Sequence, residues 1–270
     1  MENGKMEGLS VAIIGSGSVA TNLAFSLNRV VNIKQVWSRN VENAMALASK
    51  LGLSNHSAID SFSSLDRNLD IYIISVPDSA YRNIYNSFPL VKGIVVNTSG
   101  ALGIPDIPGC RCGVFYPLQT FRKEKIADFR RIPILIEGRD NETVTALVRL
   151  AEKISDKVKV INDNGIKAKL HLAAVFASNF SNYLWSLSES ILNECGEDLS
   201  FLEPLVCENL SNAIALGADA AQTGPAMRGD RNVLERHLEI IGQSGLPSPE
   251  ARQVYKLLSD NISKKYNPEK

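Results

Sequence analysis

The hexapeptide Gly15-Ser16-Gly17-Ser18-Val19-Ala20 follows the apolar run Val11-Ala12-Ile13-Ile14 and opens an amphipathic stretch. A buried strand that enters a glycine-paired turn and then a helix is built to receive the phosphates of a dinucleotide. Gly15 permits the tight turn, Gly17 lets a diphosphate approach the backbone, and Ala20 allows close packing of helix on sheet. The N-terminus of that helix, with Ser16, Ser18 and Val19, supplies free N–H groups and a partial positive charge to the phosphates. The competing reading is a strand–turn–helix that binds nothing.

A second strand, Ile33-Lys34-Gln35-Val36-Trp37, ends in Ser38-Arg39-Asn40. Sites that prefer NAD carry an acid about 20 residues beyond the glycines, where it grips the ribose 2′-hydroxyl. Here the chain offers a hydroxyl, a guanidinium and an amide. A guanidinium makes charge-assisted hydrogen bonds to a 2′-phosphate, so Ser38 and Arg39 favour NADP(H). A plain surface arginine ahead of a helix is the alternative.

The residues able to move protons lie much later in the chain. With His171 as origin and about 100° per residue, Lys167, Ser178 and Asn182 fall within roughly 40° of it, and Asn179 lies at the margin. The remaining faces carry Leu172, Phe176, Phe180, Tyr183, Leu184 and Leu187. A helix apolar over most of its girth is expected to be buried, which makes the polar stripe the wall of a cleft between domains. His171 is the side chain suited to exchange a proton near neutral pH. In a hydride transfer it would protonate a carbonyl or imine, with Ser178, Asn179 or Asn182 orienting the substrate. A histidine hydrogen-bonded within the core competes with that role.

These groups need a scaffold, and the first half of the sequence supplies one. A helix is predicted over 41–51, a short strand near Ser57-Ala58, and strands over 70–76, 93–97, 112–116 and 132–137, with helices over 79–86 and 142–153. Asp78 is read as the cap of the first of these. This alternation predicts a doubly wound parallel sheet of the α/β class, a Rossmann sheet. Ligands of such sheets sit beyond the carboxyl ends of the strands. That places Val76, Pro77, Asn97 and Ser99 among the candidate coenzyme contacts, with ordinary turn chemistry as the alternative. After Val158-Lys159-Val160-Ile161 no strand is predicted. Helices are expected over 164–194, 201–221, 230–242 and 249–264, punctuated by Gly196, Gly217, Gly224-Pro225 and Pro247. The expected division is therefore a nucleotide-binding domain over 1–162 and an all-helical domain over 163–270. Within the latter, Arg228 could hold a carboxylate or join a salt bridge, while Asp230 reads as a helix cap.

Composition narrows the classes. The 270 residues are 44% apolar and 21% charged, with 29 basic and 29 acidic side chains. Balanced charge gives no bulk case for nucleic acid or an anionic membrane. The polar start, Met1 to Gly8, is expected to fray and resembles no secretory signal. The apolar stretch from Leu170 to Leu187 is broken by His, Asn and Ser and does not read as a membrane span. Cys110, Cys112, Cys195 and Cys207 and the scattered His56, His171 and His237 lack metal-ligand spacing, so no metal is expected. Reduced thiols and a cytoplasmic location fit together.

The assembled motifs resemble a bacterial family with a Rossmann-like N-terminal domain and a C-terminal domain of unknown function. The resemblance rests on the glycine turn, on Asn97-Thr98-Ser99-Gly100-Ala101-Leu102-Gly103 and on Pro117-Leu118-Gln119-Thr120-Phe121. It also rests on the segment from His171 to Asn179 and on Thr223-Gly224-Pro225-Ala226-Met227-Arg228-Gly229-Asp230. More distantly the chain looks like deazaflavin-dependent NADP oxidoreductases, pyrroline-5-carboxylate reductases and the 6-phosphogluconate and 3-hydroxyisobutyrate dehydrogenases. That resemblance implies a helical C-terminal domain of the 6-phosphogluconate dehydrogenase kind and homodimers formed through it. Two positions depart from it: Tyr116 stands where the family usually has His, and Lys167 is followed four residues on by His171 where the hydroxyacid dehydrogenases have Asn.

The sequence thus points to an NADP(H)-dependent oxidoreductase acting on a small C=O or C=N substrate. A non-catalytic NADP(H)-binding or sensing protein is the alternative. A methyltransferase fits less well, since an acid after the second strand would then be expected in place of Ser38-Arg39.

Overall fold

The computed structural model describes residues 8–243 and 248–267. The expected frayed start at residues 1–7 and the break at Pro247 lie outside the described residues. By packing the chain forms two units, Met1–Val175 and Phe176–Lys270. The division comes later than the change in composition at residues 162–163, because the first turns of the following helix pack with the sheet.

In the first unit, β1 (Ser10–Ile14), β2 (Asn32–Trp37), β3 (Ala58–Ile59), β4 (Ile71–Ile74), β5 (Ile94–Asn97), β6 (Arg111–Pro117), β7 (Ile134–Gly138) and β8 (Val158–Val160) form one sheet. Their order is β3-β2-β1-β4-β5-β6-β7-β8. The chain leaves β1 in one direction through β2 and β3, then returns to place β4 on its other side. The reversal between β1 and β4 is the crevice where ligands of open α/β sheets bind. The helices α1 (Ser18–Leu27), α2 (Val41–Lys50), α3 (Tyr81–Ser87) and α4 (Asn141–Glu152) cover the sheet. Its strands are apolar on both faces: Val11 and Ile13 join one core with Leu23 and Leu147, while Ala12 and Ile14 join another with Tyr81 and Phe88. Burial on both sides is why these strands read as continuous apolar runs.

Two expectations need correction here. The sheet is not wholly parallel, since β7 runs antiparallel to β6, with Tyr116 opposite Leu135 and Val114 opposite Glu137. The connecting residues, all described, carry a 3-10 turn at Phe129–Arg131 instead of the crossover helix that a parallel return requires. Asp78 caps no helix: it lies inside a 3-10 turn, Asp78–Ala80, ahead of α3.

Beyond β8 runs α5 (Asn164–Ala174), then a π-helical turn at Val175–Phe180, then α6 (Ser181–Glu194). The sequence predicted one unbroken α-helix. The π turn bonds i to i+5 and so displaces the residues after Val175 from the positions an ideal α-helix gives them. The second unit adds α7 (Glu203–Leu216), the short α8 (Pro225–Arg228), α9 (Arg231–Gln243) and α10 (Ser248–Tyr266). The apolar faces from α5 to α6 correct another expectation. Leu172, Phe176, Phe180, Tyr183 and Leu184 are exposed in the single chain, Phe176 at 62%. Among the described residues of this unit, a small core cluster contains Ile241 and Ala251, with Leu187 and Tyr255 packed against them.

Candidate functional site

The glycine turn lies at the reversal between β1 and β4. Gly15 adopts φ +134°, a region closed to most side chains, and a Cβ there would fall 2.0 Å from the Ser75 carbonyl oxygen. Its N–H donates to Trp37 O at 2.8 Å, so the turn is pinned to β2 and pressed against the end of β4. Gly17 behaves differently. It is the N-cap of α1 and makes no side-chain cap, with an ordinary φ of −74°. A Cβ built on it meets nothing within 4 Å. The start of α1 therefore keeps unbonded N–H groups beside open space, and the first turn holds no acid. That is a cradle for an anion. Ala20 is fully buried in the core below, as its small size foreshadowed.

Ser16 Oγ donates to Ser38 Oγ at 3.1 Å and joins the turn to the end of β2. Ser38 is buried and Arg39 exposed; among the described residues Arg39 enters no ion pair. Asn40 is occupied elsewhere, accepting a hydrogen bond from Glu42 N at 2.8 Å as the cap of α2. Val76 is half-buried and approaches Gly15, and Pro77 is exposed. A diphosphate over the α1 N-terminus and a ribose phosphate near Ser38 and Arg39 fit this donor set.

Asn97 and Ser99 are fully engaged in shaping their own loop. Asn97 Nδ2 donates to Tyr85 Oη at 3.0 Å and Gly103 O at 2.8 Å, and its Oδ1 accepts from Ser99 N at 3.1 Å. Ser99 Oγ in turn accepts from the N–H groups of Ala101 and Leu102, each at 3.1 Å. Both side chains are buried. They act as braces that hold Gly100 in place.

Gly100 lies against two side chains able to exchange a proton. A Cβ on it would lie 2.5 Å from His171 Nδ1 and 2.7 Å from the Tyr116 hydroxyl. Those two atoms are hydrogen-bonded to each other at 3.0 Å. Tyr116 ends β6 and His171 stands on α5, both half-buried. Burial, and after it the Asp78 carboxylate, pushes the Tyr116 hydroxyl above its ordinary value, so it stays protonated at neutral pH. With a neutral imidazole the hydroxyl donates to Nδ1 and leaves the ring proton on Nε2. With an imidazolium, Nδ1–H donates to the hydroxyl oxygen.

One turn before His171, Lys167 is 2% exposed. Its ammonium lies 3.2 Å from Glu137 Oε1, with both side chains 3% exposed, and it donates to the Leu102 carbonyl. Burial pulls the lysine down from its usual value, and the glutamate opposes that shift.

Of the other predicted residues, Ser178 is half-buried and Asn179 and Asn182 are exposed, all within the second unit. Arg228 pairs with Asp230 at 2.9 Å inside its own glycine-flanked turn. A cavity of about 510 Å³ lined by Phe25, Arg29, Ile126, Phe129 and Lys153 lies at the opposite end of α1 from the glycine turn and takes no part in the site. Among the described residues no group of three or more His, Cys, Asp or Glu could hold a metal ion. The four cysteines are free. No described helix is long and apolar enough to cross a membrane.

Comparison with known proteins bears on this geometry. Residues 132–262 match a family described as a domain of unknown function, DUF2520. A crystal structure from Bacteroides fragilis, provisionally named an NADP oxidoreductase, is 32% identical over 95% of this chain and 98% of its own, with a TM-score of 0.86. The chain belongs to the family of that protein. A Thermotoga maritima protein of the same architecture is 25% identical over 94% of this chain and 99% of its own, with a TM-score of 0.73. A reductive aminase from Aspergillus terreus, solved with NADPH and ethyl-5-oxohexanoate, covers 95% of this chain and 94% of its own at a TM-score of 0.70. At 16% identity that likeness is one of fold. No curated protein matches the sequence. The family match spans β7 to α10 and so includes Glu137, Lys167, His171 and Arg228.

Sequence reasoning missed three residues. Tyr116 falls at the carboxyl end of a strand, on the ligand side, but the sequence gives it no partner and no role beyond its departure from the family pattern. Glu137 closes the apolar run Ile134-Leu135-Ile136, and an acid in a strand covered on both faces signals a buried partner. Asn22, fully buried on α1, donates to Arg122 O and accepts from Ala127 N, clamping the loop after β6 to the helix that starts at the glycine turn.

Proposed function

We propose that the protein is an NADP(H)-dependent oxidoreductase that reduces or oxidises a small C=O or C=N substrate. The observation that carries the reading is the Tyr116–His171 hydrogen bond beyond the carboxyl ends of the same strands whose glycine turn leaves room for a dinucleotide. The family relationship to the Bacteroides fragilis protein supports the class, and NADPH in the reductive aminase of the same fold supports the coenzyme.

The bound nicotinamide coenzyme supplies or accepts the hydride. The α1 N-terminus, with Ser16, Gly17, Ser18 and Val19, binds the diphosphate, while Ser38 and Arg39 hold the 2′-phosphate. In the reducing direction His171 gives a proton to the substrate oxygen or nitrogen, and Tyr116 holds the ring so that Nε2–H is the free donor. Ser178, Asn179 and Asn182 are retained as candidate polar contacts for the substrate. Asn97, Ser99 and Gly100 shape the loop against which His171 and Tyr116 rest.

We further propose that the protein is a homodimer. The exposed Phe201, Leu205, Leu210, Ile214 and Leu216, Ile214 at 77%, form apolar surface that a second copy would cover.

The test is NADPH consumption by the purified protein across a broad panel of ketones, aldehydes and cyclic imines, repeated with His171→Gln. Turnover that His171→Gln abolishes without loss of NADPH affinity supports the reading. Tight NADPH binding with no consumption across the panel would assign the protein to the sensing alternative.

A further inference from the structure

Glu137 and Lys167 have no part in the mechanism above, yet they are the most deeply buried ion pair among the described residues. The two Glu137 oxygens have no hydrogen-bond partner there, and their neighbouring cation is Lys167. Taking two such charges out of water costs several kcal/mol per ion, and well-packed apolar side chains in their place are often as stable or more so. Stability alone therefore gives a weak reason for the pair. Its position gives a better one.

Lys167 touches two separate parts of the sheet's ligand end. Through Glu137 it is tied to β7, in whose partner strand, β6, Tyr116 lies two residues beyond Val114, the residue opposite Glu137. Through Leu102 O it is tied to the loop after β5. That loop is cross-linked from Asn97 to Gly103 by the Asn97 and Ser99 side chains. Gly100, at its middle, presses on both Tyr116 and His171. Lys167 and His171 are four residues apart on α5 and so project from the same side of the helix. Wherever the ammonium is held, the imidazole one turn on is held with it.

We infer that the Glu137–Lys167 pair, together with the Lys167–Leu102 hydrogen bond, is the positioning element that sets His171 against Tyr116. Neither residue touches the reacting atoms. This inference rests on His171 as proton donor for its functional meaning, but the geometry it describes is measurable without turnover.

The experiment compares Glu137→Met, Lys167→Met, the double variant and Lys167→Arg with the wild type. Three quantities are read: the thermal midpoint, the ring-nitrogen NMR signals of His171, and NADPH consumption with the panel compound reduced fastest. Each single methionine variant strands a buried charge and is expected to lower the midpoint markedly. The double variant removes both charges and is expected to recover it. Its His171 signals are nevertheless expected to show the Tyr116 hydrogen bond weakened, and its kcat to stay about tenfold to a hundredfold low with KM for NADPH unchanged. Lys167→Arg keeps the charge and folds, but its wider head cannot reproduce both ammonium contacts. A shifted His171 spectrum and a severalfold lower kcat are expected.

A double variant that regains both midpoint and wild-type His171 signals would reduce the pair to a structural contact. So would wild-type signals in Lys167→Arg. If His171→Gln retains full turnover, the donor reading fails separately, and the NMR comparison still decides whether this pair positions the ring.

Discussion

His171 Nδ1 and the Tyr116 hydroxyl lie 3.0 Å apart, and Gly100 packs so closely over the pair that no other residue fits there. One residue comes from a strand end and the other from a helix begun far along the chain. Under the proposed function, their meeting would orient the histidine as a proton donor. Replacing His171 with Gln is expected to lower turnover by about 10²- to 10⁴-fold, with NADPH affinity intact. Tyr116→Phe removes the hydrogen bond and keeps the ring, so its loss is expected to be smaller, about tenfold in kcat. Steady-state kinetics beside coenzyme titrations check both. Equal kcat in Tyr116→Phe and wild type would remove the tyrosine from the account.

The three glycines of the site make a second, sharper series. Gly15→Ala puts a Cβ against the Ser75 carbonyl at a positive φ, so loss of the folded state is expected. Gly100→Ala drives a methyl between His171 and Tyr116 and should abolish turnover. Gly17→Ala meets no atom of the protein. Its melting temperature should fall only slightly, since alanine is a poorer N-cap than glycine, while NADPH affinity falls because the methyl projects into the space left for a ligand. Thermal melts paired with coenzyme titration separate the three outcomes, and normal NADPH affinity in Gly17→Ala would contradict the placement of the diphosphate.

Much of this arrangement is legible in the residues. The glycine turn, the strand runs and the Ser38-Arg39 pair are local patterns whose period and chemistry survive without knowledge of the fold. The Ser16–Ser38 bond then brings together two of those patterns 22 residues apart. What the sequence concealed is non-local. Asn97 and Ser99 look like ligand contacts, but their polar groups are engaged by Tyr85 and by their own loop. Glu137 looks like the end of a strand until Lys167 arrives from α5. The π turn at Val175–Phe180 leaves no mark that the apolar period reveals, and it shifts Ser178 and Asn182 from the positions that an ideal α-helix projects for them. The apolar helix faces read as buried from their period, yet Leu172, Phe176 and Phe180 are exposed in the single chain.

A third prediction concerns those faces. Ile214→Glu and Leu210→Glu place charges in surface exposed in the single chain at 77% and 61%. If two copies bury it, each variant shifts the protein from dimer to monomer by light scattering after size exclusion. A wild type that is monomeric at all concentrations tested would contradict the dimer.

A fourth concerns acid. Asp140 caps α4, accepting from Thr143 N at 2.7 Å and from Thr143 Oγ1 at 2.8 Å. These hydrogen bonds hold its carboxyl below the usual value. Because the folded pKa is depressed, the unfolded chain binds the proton more readily, and the cap's contribution is present above about pH 3.9. It is lost as pH falls through the folded value. Asp140→Ala should therefore melt about 2–4 °C lower than the wild type at neutral pH, with the gap closing in strong acid. A gap independent of pH would show that the carboxylate charge does not matter.

Coenzyme choice tests the whole reading most directly. Titration calorimetry with NADPH, NADP+, NADH and NAD+ should show the phosphorylated pair binding more tightly. Arg39→Ala should weaken that pair by about 1.5–3 kcal/mol and leave the unphosphorylated pair unchanged. No heat with any of the four, or equal affinity for all with no response to Arg39→Ala, would contradict it.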